Sequence, residues 1–266
     1  MEQTFKHLDL FSGIGGFAYA CKAIFEDKYE NVGFCDIDEF CHQVLRKNFG
    51  ENSKISNDIC AFNGTSLKEV DLITGGFPCQ DISPAGISNG RKGLGGSRSG
   101  LYYEMLRIIS EVEPKFIIYE NSSLLINWIP QIHKNLTSLG YKNYGKIFTA
   151  REFGFPHKRA RYYGISFANT YSFGLIEIQN EIEKHTESVK QKIFGSSERN
   201  KAEFNRTFSR ALSSPSNSQF LRTFDGIPTR LDVSRIKALG NSIVPQIAMV
   251  CIAVIKELKE VEDGRN

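Results

Sequence analysis

His7-Leu8-Asp9-Leu10-Phe11-Ser12-Gly13-Ile14-Gly15-Gly16-Phe17 is the stretch on which the fold turns. Residues 7–11 read as a short strand, 12–16 as a glycine-rich turn, and Phe17 to about Phe25 as a helix. Strand, glycine turn and helix open a nucleotide-binding α/β fold, because the helix N-terminus and the bare amides of the turn face the ligand. The spacing is Gly-x-Gly-Gly. It matches neither the dinucleotide fingerprint nor a phosphate loop, which needs Gly-Lys-Ser/Thr. A phosphate cradle is therefore unsupported. A ligand with an adenosine end and a short polar tail fits better.

Working outward, residues 31–35 predict a second strand that ends at Asp36-Ile37-Asp38. An acidic residue there is where such folds hold ribose hydroxyls, so Asp36 is assigned to a ribose. Asp38 precedes the helical stretch 39–49 and reads as its N-cap. A short strand near Ile55 leads to Asn57-Asp58-Ile59. Residues 71–74 form a fourth strand and run into Gly75-Gly76-Phe77-Pro78-Cys79-Gln80.

Pro78 stiffens that turn, and the glycines let another molecule approach the backbone. Most free cysteines are small buried hydrophobes, and Cys79 alone would be read so. Behind it, however, residues 84–100 form a glycine-rich loop with the basic side chains Arg91, Lys92 and Arg98. A rigid thiol beside a basic flap suggests a nucleophile acting on a phosphate-bearing substrate.

Apolar spacing predicts helices over 101–112 and 129–139, and strands over 116–119, 141–149 and 161–166. Ligand sites in open parallel sheets lie at the strands' carboxyl ends. Gly13, Asp36, Asp58, Cys79 and Glu120 all fall there, and five such groups on one edge outweigh the bland reading of any one. Strand alternation through 157–161 would put His157, Arg159 and Arg161 on one face, able to hold anions or a carbonyl-bearing base. A solvated charged turn is the alternative.

Past Phe167 the α/β rhythm stops. Ile178, Ile182, Val189 and Ile193 suggest one amphipathic helix, and the rest up to Asp232 is polar and irregular. A Gly-Asn-Ser turn at 240–242 then leads into an apolar helix over 246–258.

Composition narrows the classes further. The chain of 266 residues, 41% hydrophobic and 24% charged, suits one large globular domain with at most a small second lobe. No apolar run spans a bilayer, the first residues do not begin a signal peptide, and a cytoplasmic protein is expected. The six cysteines form no Cys-x-x-Cys pair, so neither a metal site nor a disulfide framework is expected. A net charge of +3 decides nothing about nucleic acid.

Five stretches, in order, resemble the motifs of the DNA (cytosine-5)-methyltransferase family of bacterial or phage type. They are DLFSGIGGF (9–17), GGFPCQDIS (75–83), IIYEN (117–121), GFPHKRARYYGIS (154–166) and ALGNSIVPQIA (238–248). The resemblance covers about residues 1–166 and 233–260. It implies an α/β fold: a mostly parallel, Rossmann-like sheet of the S-adenosylmethionine-dependent methyltransferases, with a small irregular target-recognition lobe. The implied domains are 1–166 for catalysis and cofactor, 167–232 for target recognition, and 233–266 returning to the catalytic body.

Residue roles follow from the same resemblance. Phe11 would pack on adenine, with Gly13, Ile14, Gly15 and Gly16 around the methionine end. Asp36 would take the ribose hydroxyls, Ile37 the adenine face and Asp58 the adenine amino group, with Ile59 beside it. Asn241 and Ser242 would close the cofactor pocket. Cys79, Glu120, Arg159 and Arg161 would be catalytic, and Gln80, Ser83, Arg91, Arg98 and His157 would meet the DNA. The implied partner is duplex DNA, acted on by a single copy of the chain without metal or membrane. Two positions depart from the pattern: Ser122 stands where the family has valine, and His157 where it has glutamine. Neither replaces a group that does the chemistry.

Three rivals are weaker. An RNA methyltransferase of the same chemistry has nothing pointing to it after the nucleophile. Intact Cys79, Glu120, Arg159 and Arg161 argue against an inactive DNA binder. The Gly-x-Gly-Gly spacing argues against a nicotinamide-dependent oxidoreductase.

Overall fold

The computed structural model describes residues 4–78, 100–155, 158–194, 238 and 241–264. Cys79, Gln80, Ser83, Arg91, Arg98 and His157 lie outside the described residues, as do 195–237.

The chain alternates strand and helix: β1 (Phe5–Leu10), α1 (Gly16–Phe25), β2 (Tyr29–Cys35), α2 (Glu39–Phe49), β3 (Ile55–Ser56) and β4 (Leu72–Gly75). After the undescribed segment come α3 (Leu101–Val112), β5 (Phe116–Ser122), α4 (Ile129–Ser138), β6 (Tyr141–Thr149) and β7 (Ala160–Ala168). Two long helices follow, α5 (Leu175–Phe194) and α6 (Pro245–Asp263). α2, α3 and β6 span the residues their patterns predict. β5 runs three residues past its predicted end, because Glu120, Asn121 and Ser122 still pair with β7.

The seven strands form one sheet in the order β3-β2-β1-β4-β5-β7-β6. β1 to β5 pair in parallel, and β7 runs antiparallel between β5 and β6. The strand order reverses between β1 and β4, which makes that gap the switch point where open α/β sheets bind ligands.

Both faces are covered. On one, Phe116 and Ile118 of β5 join Tyr163, Ile165 and Phe167 of β7 beneath α1, α5 and α6. On the other, Ile117 and Tyr119 face α3 and α4 with Ile73 and Ile108. The period of two along β5 therefore carries on to its end, and Glu120 and Asn121 leave on opposite faces.

The amphipathic helix predicted within 167–232 is α5. Its Ile178 and Ile182 are buried in the same core as Val250 and Val254 of α6. The first part of the interval expected as a small lobe is thus strand and helix packed on the common core, since β7 also continues to Ala168.

A polar chain runs through the centre of the sheet. Tyr29 Oη lies 2.9 Å from His7 Nδ1, His7 Nε2 lies 2.7 Å from Thr74 Oγ1, and the Thr74 hydroxyl donates to Asp9 Oδ1 at 2.6 Å. With the threonine proton given to Asp9, His7 donates from Nε2; burial keeps the ring neutral, so Nδ1 accepts from the Tyr29 hydroxyl. Burial pulls the His7 pKa down to about 3 and pushes the Asp9 carboxyl up to about 8. Four strand residues are tied across β2, β1 and β4 with no charge on the histidine.

Candidate functional site

The register levels the sheet edge. Leu10 stands opposite Cys35 on one side and Gly75 on the other, and Gly75 stands opposite Tyr119. One residue further along, Asp36, Phe11, Gly76 and Glu120 therefore emerge side by side. β7 runs the other way, so its first residues reach this same edge, with Arg161 opposite Ser122. The predicted convergence is a consequence of parallel register plus one reversed strand.

The turn after β1 is wound tightly. Phe11 has φ of 51°, Gly13 of 53° and Gly15 of 83°. A left-handed phenylalanine is uncommon and is held by its surroundings. Ser12 supplies the hold: its hydroxyl donates to the Asp9 carbonyl, its Oγ accepts from Cys35 N–H at 3.1 Å, and its N–H donates to the Cys35 carbonyl at 3.0 Å.

The three glycines serve different needs. A Cβ on Gly15 would lie 2.6 Å from the Phe49 ring, and one on Gly16 would lie 2.5 Å from Ile243 Cγ1. Both are excluded by packing, against α2 and against the stretch leading into α6. A Cβ on Gly13 would meet nothing within 4 Å. That glycine faces open space at the switch point, where a ligand has room.

At the end of β2, Asp36 accepts from Gly13 N–H at 2.7 Å through Oδ2 and from Asp38 N–H at 2.8 Å through Oδ1. Each oxygen keeps a further lone pair for a hydroxyl. Beside it, Ile37 is 88% exposed, an unusual place for a large aliphatic side chain and a ready apolar wall for a flat ring. Asp38 accepts from Phe40 N–H at 3.1 Å, which makes it the N-cap predicted for α2.

Asp58 is exposed, and its Oδ1 closes a short turn by accepting from Cys60 N–H at 2.8 Å. Ile59 is different. Its side chain is buried in the core under α3, so contact with a ligand there falls to its main chain. Arg107 of α3 fixes this loop by donating to the Ile59 and Phe62 carbonyls at 2.9 and 3.0 Å, while Glu104 and Glu111 hold the guanidinium.

The β4 turn, Gly75 to Pro78, runs straight to the undescribed Cys79. Asn121 donates from Nδ2 to the Phe77 carbonyl at 2.9 Å and accepts from Ser122 N–H at 2.8 Å. A Cβ on Gly76 would lie 3.3 Å from Glu120 Oε2. The turn thus rests against the Glu120 carboxyl and is bolted to β5 through the next residue. A Cβ on Gly75 would strike Met105 Sδ at 2.9 Å, which fixes the approach of α3.

Glu120 is buried, and Arg161 Nε lies 3.1 Å from its Oε1. Burial pushes its carboxyl pKa up to about 7, against the pull of the Arg161 and Arg159 guanidiniums. A carboxyl poised near neutrality at a ligand edge suits proton sharing.

Alternation does not carry through to Arg159. That residue precedes β7 with φ of 30° and donates to the Ser242 carbonyl. Arg161 lies against Glu120, and Arg159, which also pulls on the Glu120 carboxyl, hydrogen-bonds the turn before α6. Asn241 is exposed and Ser242 half-buried in that turn, whose start is held by Ser242 N–H to the Ala238 carbonyl at 2.9 Å.

Sequence reasoning missed Ser12, Arg107 and the tie from Asn121 to Phe77. Only a serine in a glycine turn and an arginine three and four residues from two glutamates on a helix offered any signal.

Residues 5–223 match the family of C-5 cytosine-specific DNA methylases. Type II methyltransferase M.HhaI of Haemophilus parahaemolyticus is 31% identical over 187 residues, which cover 68% of this chain and 54% of that protein. M2.ScrFI of Lactococcus lactis subsp. cremoris is 37% identical over 151 residues, 54% of this chain and 40% of that one. The chain spans about half the length of the curated relatives it matches. Among solved structures, the S. pombe Dnmt2 methyltransferase superposes with a TM-score of 0.63 at 18% identity, over 95% of this chain and 98% of that one. The matched span takes in every strand of the sheet and the whole edge on which Asp36, Gly76, Glu120 and Arg161 meet, and the chain belongs to the C-5 cytosine-specific DNA methylase family.

Proposed function

We propose that the chain methylates carbon 5 of a cytosine flipped out of duplex DNA, with Cys79 as covalent nucleophile and S-adenosylmethionine as cofactor. The observation that carries the reading is the adjacency of Gly76 to the Glu120 carboxyl. It brings the turn leading to a cysteine beside an acid poised near neutral pH.

The residues present fit the cofactor. Gly13 leaves open space, the Asp36 oxygens keep lone pairs for two hydroxyls, and exposed Ile37 offers a wall for adenine, with Phe11 across the turn. Asp58 would receive the adenine amine, the Gly13 to Gly16 backbone would surround the methionine end, and Asn241 and Ser242 would close the cofactor pocket. When bound, S-adenosylmethionine supplies an electrophilic methyl group.

Carbon 5 of cytosine is too poor a nucleophile to take that group unaided. Addition of the Cys79 thiolate to carbon 6 moves the ring electrons to carbon 5 and makes it enamine-like. Glu120 offsets the charge arriving on the ring by giving a proton to nitrogen 3 and accepting from the exocyclic amine. Its pKa of about 7 keeps that proton available at neutral pH. Arg161 is placed to hold the cytosine carbonyl oxygen, while Arg159 braces the turn at Ser242. After methyl transfer, the carbon 5 proton passes to solvent, the thiolate departs, and nitrogen 3 returns its proton to Glu120, which restores base and enzyme. A base stacked inside a duplex is out of reach of this edge, so the target must be extruded. Residues 84–100 would then close behind it, with Arg91 and Arg98 on phosphates and Gln80, Ser83 and His157 near the strand. Recognition of the flanking sequence is assigned to the part of 167–232 that follows α5.

Bisulfite sequencing of plasmid DNA incubated with the protein and S-adenosylmethionine tests the reading. Protection of cytosines in one recurring context is expected, and an unmodified plasmid beside methylated RNA would overturn it.

Asn121→Ala removes the tie to the Phe77 carbonyl. The turn before Cys79 then loses its anchor while the cofactor edge is untouched. A fall in single-turnover methylation of about 10- to 100-fold is expected, with cofactor affinity unchanged in a calorimetric titration. Equal losses in both quantities would mean that Asn121 supports the fold rather than the turn.

A further inference from the structure

His42 of α2 has no place in the scheme above, yet it is buried and directed at the acidic end of β2. Its Nε2 lies 2.6 Å from the Asp36 carbonyl oxygen, and its Nδ1 lies 3.1 Å from Glu39 Oε2. The His42 side chain is buried, which keeps water from its contact with the Asp36 carbonyl, whereas Glu39 reaches it from the solvent side.

Asp36 is held from four sides. Its N–H donates to the Ser56 carbonyl at 3.0 Å, and its two carboxylate oxygens receive the N–H groups of Gly13 and Asp38. Those three contacts use main-chain atoms of the neighbouring strand and turns, which many sequences would supply. The fourth, at the Asp36 carbonyl, depends on one side chain. That carbonyl belongs to the peptide joining Asp36 to Ile37, the two residues assigned to ribose and adenine. Rotation of this peptide would turn the carboxylate and the 88% exposed isoleucine away together.

The helix itself does not need the contact. Asp38 already caps α2 through Phe40 N–H, and its carbonyl accepts from His42 N–H at 3.2 Å.

We infer that His42 is a positioning residue for an adenosine-bearing cofactor, pinning the Asp36–Ile37 peptide so that carboxylate and apolar wall face the ligand together. The inference rests on the cofactor reading given above. Glu39 steadies the imidazole from its other side, with Arg46 3.9 Å from the second carboxylate oxygen.

Calorimetric titration with S-adenosylhomocysteine, which needs no turnover, is the primary test, run on the full chain as wild type, His42→Leu, His42→Gln and Asp36→Ala. His42→Leu is expected to weaken binding by about 5- to 20-fold, the worth of one shielded hydrogen bond. In steady state that loss is confined to KM for the cofactor, with kcat and KM for DNA within about twofold of wild type. His42→Gln keeps an N–H donor of similar reach and is expected to recover most of the loss. If the leucine variant binds as wild type does while Asp36→Ala is weakened, His42 has no positioning role and the cofactor reading stands. If Asp36→Ala also binds normally, the cofactor reading falls and takes the inference with it. If His42→Gln is no better than His42→Leu, or all three constants move together, the ring is only packing and the inference is wrong. Should His42→Leu fail to melt cooperatively, His42→Asn, whose shorter amide cannot reach the carbonyl, supplies the same contrast.

Discussion

Duplex DNA carrying 5-fluorocytosine at the methylated position is expected to leave a denaturation-resistant complex with the wild-type protein and S-adenosylmethionine, and none with Cys79→Ser. On the proposed path the Cys79 thiolate adds to carbon 6 and the methyl group arrives at carbon 5. Fluorine cannot leave as a proton does, so elimination stalls with the bond to sulfur intact. Serine has the reach but not the acidity: at neutral pH its hydroxyl gives almost no alkoxide, whereas a cysteine gives a usable thiolate fraction. On ordinary DNA the same substitution is expected to lower turnover by roughly 10³-fold or more, because no other group can take over attack at carbon 6. Gel mobility after heating in detergent reads the adduct. Equal trapping by Cys79→Ser would remove this cysteine from the chemistry.

Glu120→Gln is expected to lower single-turnover methylation by about 10²- to 10⁴-fold and to abolish the alkaline fall of the pH profile. In the proposed reaction the acid form of Glu120 is the one used. With its pKa raised to about 7 by burial, that form predominates below about pH 7 and declines tenfold per unit above it. Because the reaction also needs the thiolate, the wild-type rate is expected to stop climbing with pH near neutrality, the start of the Glu120 limb, and to fall once the thiol is ionised. An ordinary carboxyl would have lost its proton by about pH 5. Glutamine can still donate a hydrogen bond to ring nitrogen 3 but has no proton to transfer, so its residual rate follows only the ionisation of the thiol. Arg161→Met moves the limb in a direction fixed by electrostatics. The guanidinium at 3.1 Å pulls the Glu120 pKa down, so its loss lets burial raise that pKa further and shifts the limb to higher pH.

The same residue carries a stability effect of opposite feel. Its folded pKa lies above the ordinary value of 4.5, so the folded protein holds a proton that the unfolded chain gives up. That contribution is complete below about pH 4.5 and is lost as the pH rises toward 7. The wild type is thus expected to melt lower at pH 8 than at pH 5.5 by more than Glu120→Gln does, a difference that thermal melts of the two proteins resolve.

Asp36, Gly76 and Glu120 were legible because a strand-end position is a local property: an apolar run stops and a functional side chain follows. Their convergence was legible too, since parallel strands share one functional edge. What the linear pattern did not carry was any contact whose partner lies dozens of residues away. Asn121 looks like a companion of Glu120, yet its amide serves Phe77 across a strand boundary. Arg107 reads as one charge on an amphipathic helix, yet it holds a loop 45 residues earlier. Ile59 was grouped with Asp58 by adjacency, and burial separated them. Alternation failed at Arg159 because a positive φ stops the extended chain just before β7. The helix at 175–194 was visible from its spacing, but nothing in that spacing says which core its isoleucines enter.

The closing of α6 over α1 sets an order of events during synthesis. Ile247, Cys251 and Val254 share a core with Phe17 and Cys21, and Ile243 occupies the place that a side chain on Gly16 would take. A ribosome makes the first of these partners about 230 residues before the second, a delay of roughly 10–45 s at ordinary elongation rates. For that interval the side of α1 that α6 will cover is open, which marks it as a surface a nascent-chain chaperone would meet. The glycine turn is likewise without Ile243 behind Gly16 until the stretch leading into α6 emerges. On the proposed reading, a chain still tethered in translation carries Cys79 before its nucleoside pocket is finished.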